Sequence, residues 1–240
     1  CSSDLTIYPS GAVNVAARFT STDMDAAQTE VSESTRTATF TPGRDAARKE
    51  ASKLNVPRIG VRFRLPASMN QVEYFGRGPA ENYLDRNAGS MVGLYKSTAE
   101  ELYFPYVRPQ ENGHHTDTRW VSLSTGKKGL LIQADNTIGF NALRNSIEDF
   151  DDEEATGLSR QWSNFTPEQV ANHDEAAAKN VLRRQHHIND ITPRDFVEVC
   201  VDLKQQGVAG YDSWGSRPEP AYTLPANREY NWGFTLIPLK

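Results

Sequence analysis

The chain has 240 residues, a length that fits one large domain or two small ones. Its 26 Lys and Arg residues against 31 Asp and Glu residues give a formal net charge of −5, which argues against a nucleic-acid partner bound chiefly through its phosphates. No apolar run approaches the ~18 residues of a membrane span, and two cysteines are too few for a disulfide scaffold.

Apolar residues recur mainly with a period of two, the pattern of strands with one buried face. In chain order, strands are predicted at residues 13–19, 59–65, 72–75, 120–123, 130–134, 197–203 and 230–236. The predicted fold is therefore all-β: a single, large, mostly antiparallel domain over residues 1–240. The polar stretch 32–53 fits either a long strand pair with one solvated face or a loop.

One helix is predicted to begin near Thr166. Thr166 can cap it, Pro167 suits the first helical position, and Gln169 completes a capping box. The alanines at 176–178 extend this helix or form a second one, so one or two short helices are expected within the β-domain.

The histidines do not have the spacing of a metal site. His114 and His115 are adjacent, as are His186 and His187, and neighbours in a strand point to opposite faces. The acidic stretch 148–154 lacks the alternating ligands of a calcium loop, so a solvated loop is favoured. No metal ligand is predicted.

Several carboxylates lie in polar segments flanked by aromatic residues. They are Glu81, Asp85, Glu111 and Asp117. Spacing alone cannot show whether two of them face each other across a glycosidic bond, and the role of structural hydrogen-bond acceptor is favoured for each. Trp214, in a glycine-rich turn, fits equally a lid over the core and a stacking platform for a sugar.

Five segments in order resemble the C-terminal domain of the large β-galactosidases of glycoside hydrolase family 2. They are Pro57-Arg58-Ile59-Gly60, Gly76-Arg77-Gly78-Pro79-Ala80-Glu81-Asn82-Tyr83-Leu84-Asp85-Arg86, Tyr106-Val107-Arg108-Pro109-Gln110-Glu111-Asn112-Gly113, Phe140-Asn141-Ala142-Leu143 and Asp212-Ser213-Trp214-Gly215. The likeness runs from about residue 13 to residue 240, with departures at 32–53 and 172–189.

The resemblance implies a large antiparallel super-sandwich similar to galactose mutarotase, the last of five domains. The family's two catalytic Glu residues lie in a (β/α)₈ barrel, and this sequence lacks the βα alternation of such a barrel, so no catalytic residue is expected here. Trp214 matches the family tryptophan that stacks on the sugar, which makes Asp212, Ser213 and Trp214 the substrate-binding candidates.

The expected partners are a β-galactoside or galactose and the other domains of the same polypeptide. No cofactor is expected in this chain, although the resemblance allows divalent or monovalent cations, and a homo-oligomer, for the full enzyme. The chain begins without an initiator Met or signal-peptide features, which suggests a processed chain or a piece excerpted from a longer one. Cytoplasmic and periplasmic locations both remain open.

Polar residues near the quoted motifs are predicted to form a hydrogen-bonded network at the rim or on the concave face of the sandwich. They are Glu81, Asn82, Asp85, Arg86, Glu111, Asn112 and His114. Two alternatives to a β-galactosidase domain stay open. One is a stand-alone mutarotase-like enzyme using Glu111 with His114 or His186 as base and acid. The other is a carbohydrate-binding module without chemistry.

Overall fold

The computed structural model describes residues 2–20, 55–107, 110–150, 188–212, 215–226 and 228–240. These ranges hold nine strands: β1 (Ser2–Ile7), β2 (Val13–Phe19), β3 (Arg58–Pro66), β4 (Gln71–Gly78), β5 (Met91–Thr98), β6 (His115–Ser124), β7 (Gly129–Leu143), β8 (Phe196–Gln205) and β9 (Tyr230–Leu239). Their helices are three short 3₁₀ turns: Ile147–Asp149, Ile188–Asp190 and Pro220–Tyr222. Within the same ranges, no helix has the length and apolar character needed to cross a membrane.

All strand pairings are antiparallel, which confirms the predicted all-β antiparallel fold. The main path runs β1-β2-β9-β7-β6-β4-β5, and β8 joins β7 to β3 in a second arm. The helix predicted from Thr166 and the polar stretch 32–53 lie outside the described residues.

Strand β7 connects the two arms. Its first part, from Gly129 to Ala134, pairs with β9, and its last part, from Gly139 to Leu143, pairs with β8. The sequence predicts only residues 130–134 of it, because the exposed polar residues 135–137 interrupt the apolar pattern while the backbone continues as a strand.

The hydrophobic core draws on both arms. Alternate residues of β4, β6 and β8 point into it, together with Phe140 of β7 and Phe234 of β9. On β8 the inward residues are Val197, Val199 and Val201. The residues between them on β8 therefore lie on the opposite face, where a second buried region forms.

Candidate functional site

Buried charges occupy the face of β8 that points away from the core. Arg58 of β3 donates from Nε to Asp202 Oδ1 (2.9 Å) and from Nη2 to Asp202 Oδ2 (2.6 Å). Burial raises the pKa of Asp202 to about 6, because its desolvation outweighs the attraction of Arg58. The carboxylate is thus ionised at neutral pH. Gly60 faces it, and a Cβ there would overlap the carboxylate.

Asn141 links this ion pair to the segment before β6. Its Oδ1 accepts a hydrogen bond from Arg58 Nη2 (2.5 Å) and lies 2.8 Å from His114 Nδ1. Its Nδ2 donates to the backbone oxygen of Asn112 (2.5 Å) and to Glu111 Oε1 (3.3 Å). Glu111 also lies 3.7 Å from Arg58 Nη1. One amide side chain therefore fixes the approach of the 111–114 segment to the sheet.

Both described histidines are buried and structural. The ring of His114 stacks on that of Tyr83, with centroids 5.7 Å apart, and burial followed by the charge of Arg58 lowers its pKa to about 3. His115 approaches Gly113 O (3.0 Å) and Pro79 O (3.3 Å) through its two ring nitrogens, and burial lowers its pKa as well. Among the residues that the structure describes, no three His, Cys, Asp or Glu side chains are grouped to hold a metal ion.

Glu81 is the centre of a second hydrogen-bonded group. Its side chain is only 5% exposed. It accepts hydrogen bonds from Gly113 N (2.7 Å), Arg86 Nη2 (2.8 Å) and Tyr83 Oη (3.2 Å), and from the Tyr106 hydroxyl. This one carboxylate joins the loop after β4 to the segment between β5 and β6.

Asn82 fixes the loop after β4 by using both ends of its amide. Its Nδ2 donates to the carbonyls of Arg77 and Ala80, both at 3.1 Å. Its Oδ1 accepts from Thr116 N (2.9 Å) and Thr116 Oγ1 (2.6 Å). The side chain is fully buried, so its amide finds its hydrogen-bond partners within the protein.

Asn112 plays the same part in the segment before β6. Its Oδ1 accepts from Phe104 N (2.8 Å) and its Nδ2 donates to Phe104 O (2.6 Å), which closes the 104–112 loop. Asn112 and His114 are also buried, so both lie in the interior of this hydrogen-bonded network. Buried amides and rings need partners, and each of these finds them in the surrounding backbone or side chains.

Asp85 points away from the Glu81 group, towards residues 207–211. Its carboxylate accepts hydrogen bonds from Val208 N (3.1 Å), Ala209 N (2.8 Å) and Tyr211 Oη (3.1 Å). Asp212, the next residue, is exposed and accepts a hydrogen bond from Ser216 N (3.3 Å). Ser213 and Trp214 lie outside the described residues.

The structure thus brings six of the seven polar candidates into one connected region and directs Asp85 to a different loop. Sequence analysis missed Arg58, Asn141 and Asp202 as site residues. A signal for the ion pair was present: arginines at 58 and 62 and acids at 198 and 202 repeat with the same spacing on two strands. Opposite charges at matching intervals favour strands that pair side by side.

The remaining buried carboxylates of the described residues also face arginines. Glu198 accepts from Arg64 Nε (3.0 Å) and Ile147 N (3.0 Å), and Asp149 pairs with Arg194. Beside Glu198 lies a small cleft of about 20 Å³. Cys200 lines it, and burial raises the pKa of this thiol to about 12, which keeps it protonated. Carboxylates held in this way suit the fixing of loops better than proton transfer.

The fold and these buried ion pairs define an antiparallel β-sandwich domain with rigidly held loops. Comparison with known proteins shows that the chain belongs to the β-galactosidase small chain family, whose model matches residues 1–236.

The relatives are β-galactosidases. The enzyme of Priestia megaterium is 35% identical over 185 residues, covering 77% of this chain and 15% of its own length. That of Arthrobacter sp. strain B7 is 40% identical over 111 residues, covering 44% of this chain and 11% of its own length. That of Vibrio cholerae is 29% identical over 181 residues, covering 75% of this chain and 14% of its own length. The chain therefore corresponds to a small part of each relative.

Proposed function

We propose that this chain is the C-terminal domain of a β-galactosidase that hydrolyses terminal β-D-galactosides. In this proposal it completes the sugar pocket beside a catalytic (β/α)₈ barrel supplied by another part of the polypeptide. The observation that carries the proposal is the family match over residues 1–236, combined with relatives named β-galactosidase of which the matched region makes up 11–15%. Cations and homo-oligomerisation are proposed only for the complete enzyme.

The arrangement of the loops supports an interface with the rest of such an enzyme. Glu81 joins two loops to each other, and Asp85 attaches a third. This region leaves Phe104, Val107 and Tyr211 exposed. Apolar and aromatic side chains exposed beside fixed polar groups are typical of a surface that another protein surface or a ligand covers.

The test of the proposal compares the chain alone with the complete enzyme. We expect the pure chain to show no turnover of a chromogenic β-galactoside. A retaining glycosidase needs two carboxylates about 5–5.5 Å apart, and in this proposal both belong to the barrel in another part of the polypeptide. The complete enzyme should turn the same substrate over. Turnover by the pure chain that disappears when one of its own carboxylates is replaced would contradict the proposal, and so would a complete enzyme without activity.

Trp214 is the proposed sugar-stacking residue, with Asp212 and Ser213 beside it in the sequence. In the complete enzyme, Trp214→Ala should raise KM about tenfold, because the apolar face offered to the sugar is lost from the ground state. Trp214→Phe, which keeps an aromatic face, is the matched control and should recover most of the affinity. A lower Tm with an unchanged KM would instead identify Trp214 as a core residue.

The mutarotase-like alternative is less well supported by the geometry. His114 is buried and neutral at neutral pH, and Glu111 lies against Arg58 and Asn141. His186 lies outside the described residues. Mutarotation of galactose by the pure chain distinguishes this alternative. Galactose binding by a complete protein that hydrolyses nothing would point to a carbohydrate-binding module.

A further inference from the structure

Asp85 and the segment that begins at Gly207 form a contact between two distant parts of the chain. The carboxylate accepts hydrogen bonds from the backbone N–H groups of Val208 and Ala209 and from the Tyr211 hydroxyl, all within 3.1 Å. Gly207 lies so close that a Cβ there would come 2.5 Å from the carboxylate. The two surfaces therefore fit only with a glycine at 207.

The backbone of this segment adopts an unusual conformation. Ala209 has φ of +56° and Gly210 has φ of +80°, so two consecutive residues lie in the left-handed region. A residue with a side chain rarely adopts this conformation unless its surroundings impose it. The N–H of Ala209 donates to Asp85 (2.8 Å) and the N–H of Tyr211 donates to Ser216 Oγ (3.0 Å), so Asp85 holds the start of this turn and Ser216 holds its end.

Asp85 itself is on a rigid support. Tyr83 and Arg86 exchange backbone hydrogen bonds of 3.2 and 2.8 Å across it, which closes a tight turn. The Tyr83 side chain is buried, and Arg86 is tied to Glu81. The conformation of residues 208–211 therefore depends, through Asp85, on the turn that the Glu81 group holds in place.

From this geometry we infer that Asp85 is a positioning residue for galactoside binding, acting through the backbone of residues 208–211. The inference rests on the proposed function, because that segment continues directly to Asp212, Ser213 and Trp214 in the sequence. A carboxylate is required at position 85 since it offers only acceptors to three donors. An asparagine of the same shape would turn its own N–H₂ towards one of them.

The test measures Asp85→Asn in the complete enzyme with a chromogenic galactoside as substrate and galactose as competitive inhibitor. KM and the inhibition constant of galactose should rise by the same factor, about tenfold, with kcat within about twofold of the wild type. If Asp85 only stabilised the fold, its replacement would lower Tm. It would not raise KM and the inhibition constant of galactose by the same factor at an unchanged Tm. Asp4→Asn, which alters an exposed carboxylate on the edge strand β1, is the matched control and should change neither constant.

Tyr211→Phe keeps the inference testable if Asp85→Asn fails to fold. It removes one hydrogen bond from an exposed side chain and should raise both constants about two- to threefold. Constants within error of the wild type in the folded variants would overturn the role of Asp85 and leave the proposed function standing. A wild-type enzyme that neither hydrolyses galactosides nor binds galactose would overturn both.

Discussion

Replacing Arg58 by Met should lower the free energy of unfolding by about 3–5 kcal/mol, because the buried carboxylate of Asp202 loses its cation. The Asp202 side chain is only 2% exposed and receives both of its arginine hydrogen bonds from Arg58. The same change removes the hydrogen bond that Arg58 Nη2 donates to Asn141 Oδ1. Met fills much of the volume of the arginine stem, so the loss reports on the charge rather than on a cavity. Urea unfolding followed by tryptophan fluorescence measures it.

An exposed ion pair supplies the control for that measurement. Arg18 and Glu229 lie 2.5 Å apart, with side chains 59% and 39% exposed. Arg18→Met should lower the free energy of unfolding far less than Arg58→Met does, because water screens such a pair and solvates the remaining charge. Adding Asp202→Asn to Arg58→Met should recover part of the stability by removing the orphaned charge. Equal losses of unfolding free energy for Arg58→Met and Arg18→Met would contradict the prediction, because burial of the Arg58–Asp202 pair would then make no difference to stability.

The strands that sequence patterns predicted are those with one face in the core. On β8 the alternation of Val197, Val199 and Val201 follows directly from the pleat of a strand. Strand β1 was missed because all its residues are exposed, so no alternation was required of it. Strand β5 was also missed: Leu94 and Val92 are exposed at the sheet edge, and they blur its pattern.

The sequence around a motif residue does not show which distant residue it contacts in the folded protein. Arg58 and Asp202 are 144 positions apart, and Asp85 and Ala209 are 124 apart. Local patterns contain no information on such pairs except where charges repeat at matching intervals on two strands. Burial was also hidden, since Asn82 and Asn112 look like surface residues until their backbone partners are known.

Replacing His114 by Gln should change how the stability of the domain responds to acid. The pKa of His114 is lowered from 6.5 to about 3 in the folded state, so between these values only the unfolded chain binds the proton. The stability that neutral His114 contributes is therefore complete above pH 6.5. It is lost on acidification at about 1.4 kcal/mol per pH unit.

Asp202 acts in the opposite direction over an overlapping range. Its pKa is raised from 3.8 to about 6, so between these values the folded state binds a proton that the unfolded chain does not. The two groups largely cancel in the wild type between about pH 6 and pH 4, where their contributions to the free energy of unfolding have opposite signs. His114→Gln removes one side of this balance.

The expected result is a stability difference, wild type minus His114→Gln, that falls by about 1.4 kcal/mol per pH unit from pH 6 to pH 4. Taking the difference cancels the carboxylates that do not contact position 114. Asp202 Oδ2 lies 3.8 Å from His114 Nδ1, but the folded ring is neutral over this range, so a neutral Gln leaves the charge beside Asp202 unchanged. Gln can still form a hydrogen bond with Asn141, so the variant tests protonation more than contact. Urea unfolding at half-unit steps measures the slope, and above pH 7.5 the difference should be constant because both states hold a neutral ring. Parallel curves down to pH 4 would mean that His114 takes up its proton as readily in the folded domain as in the unfolded chain, and that its burial between Tyr83 and Asn141 does not exclude the charge.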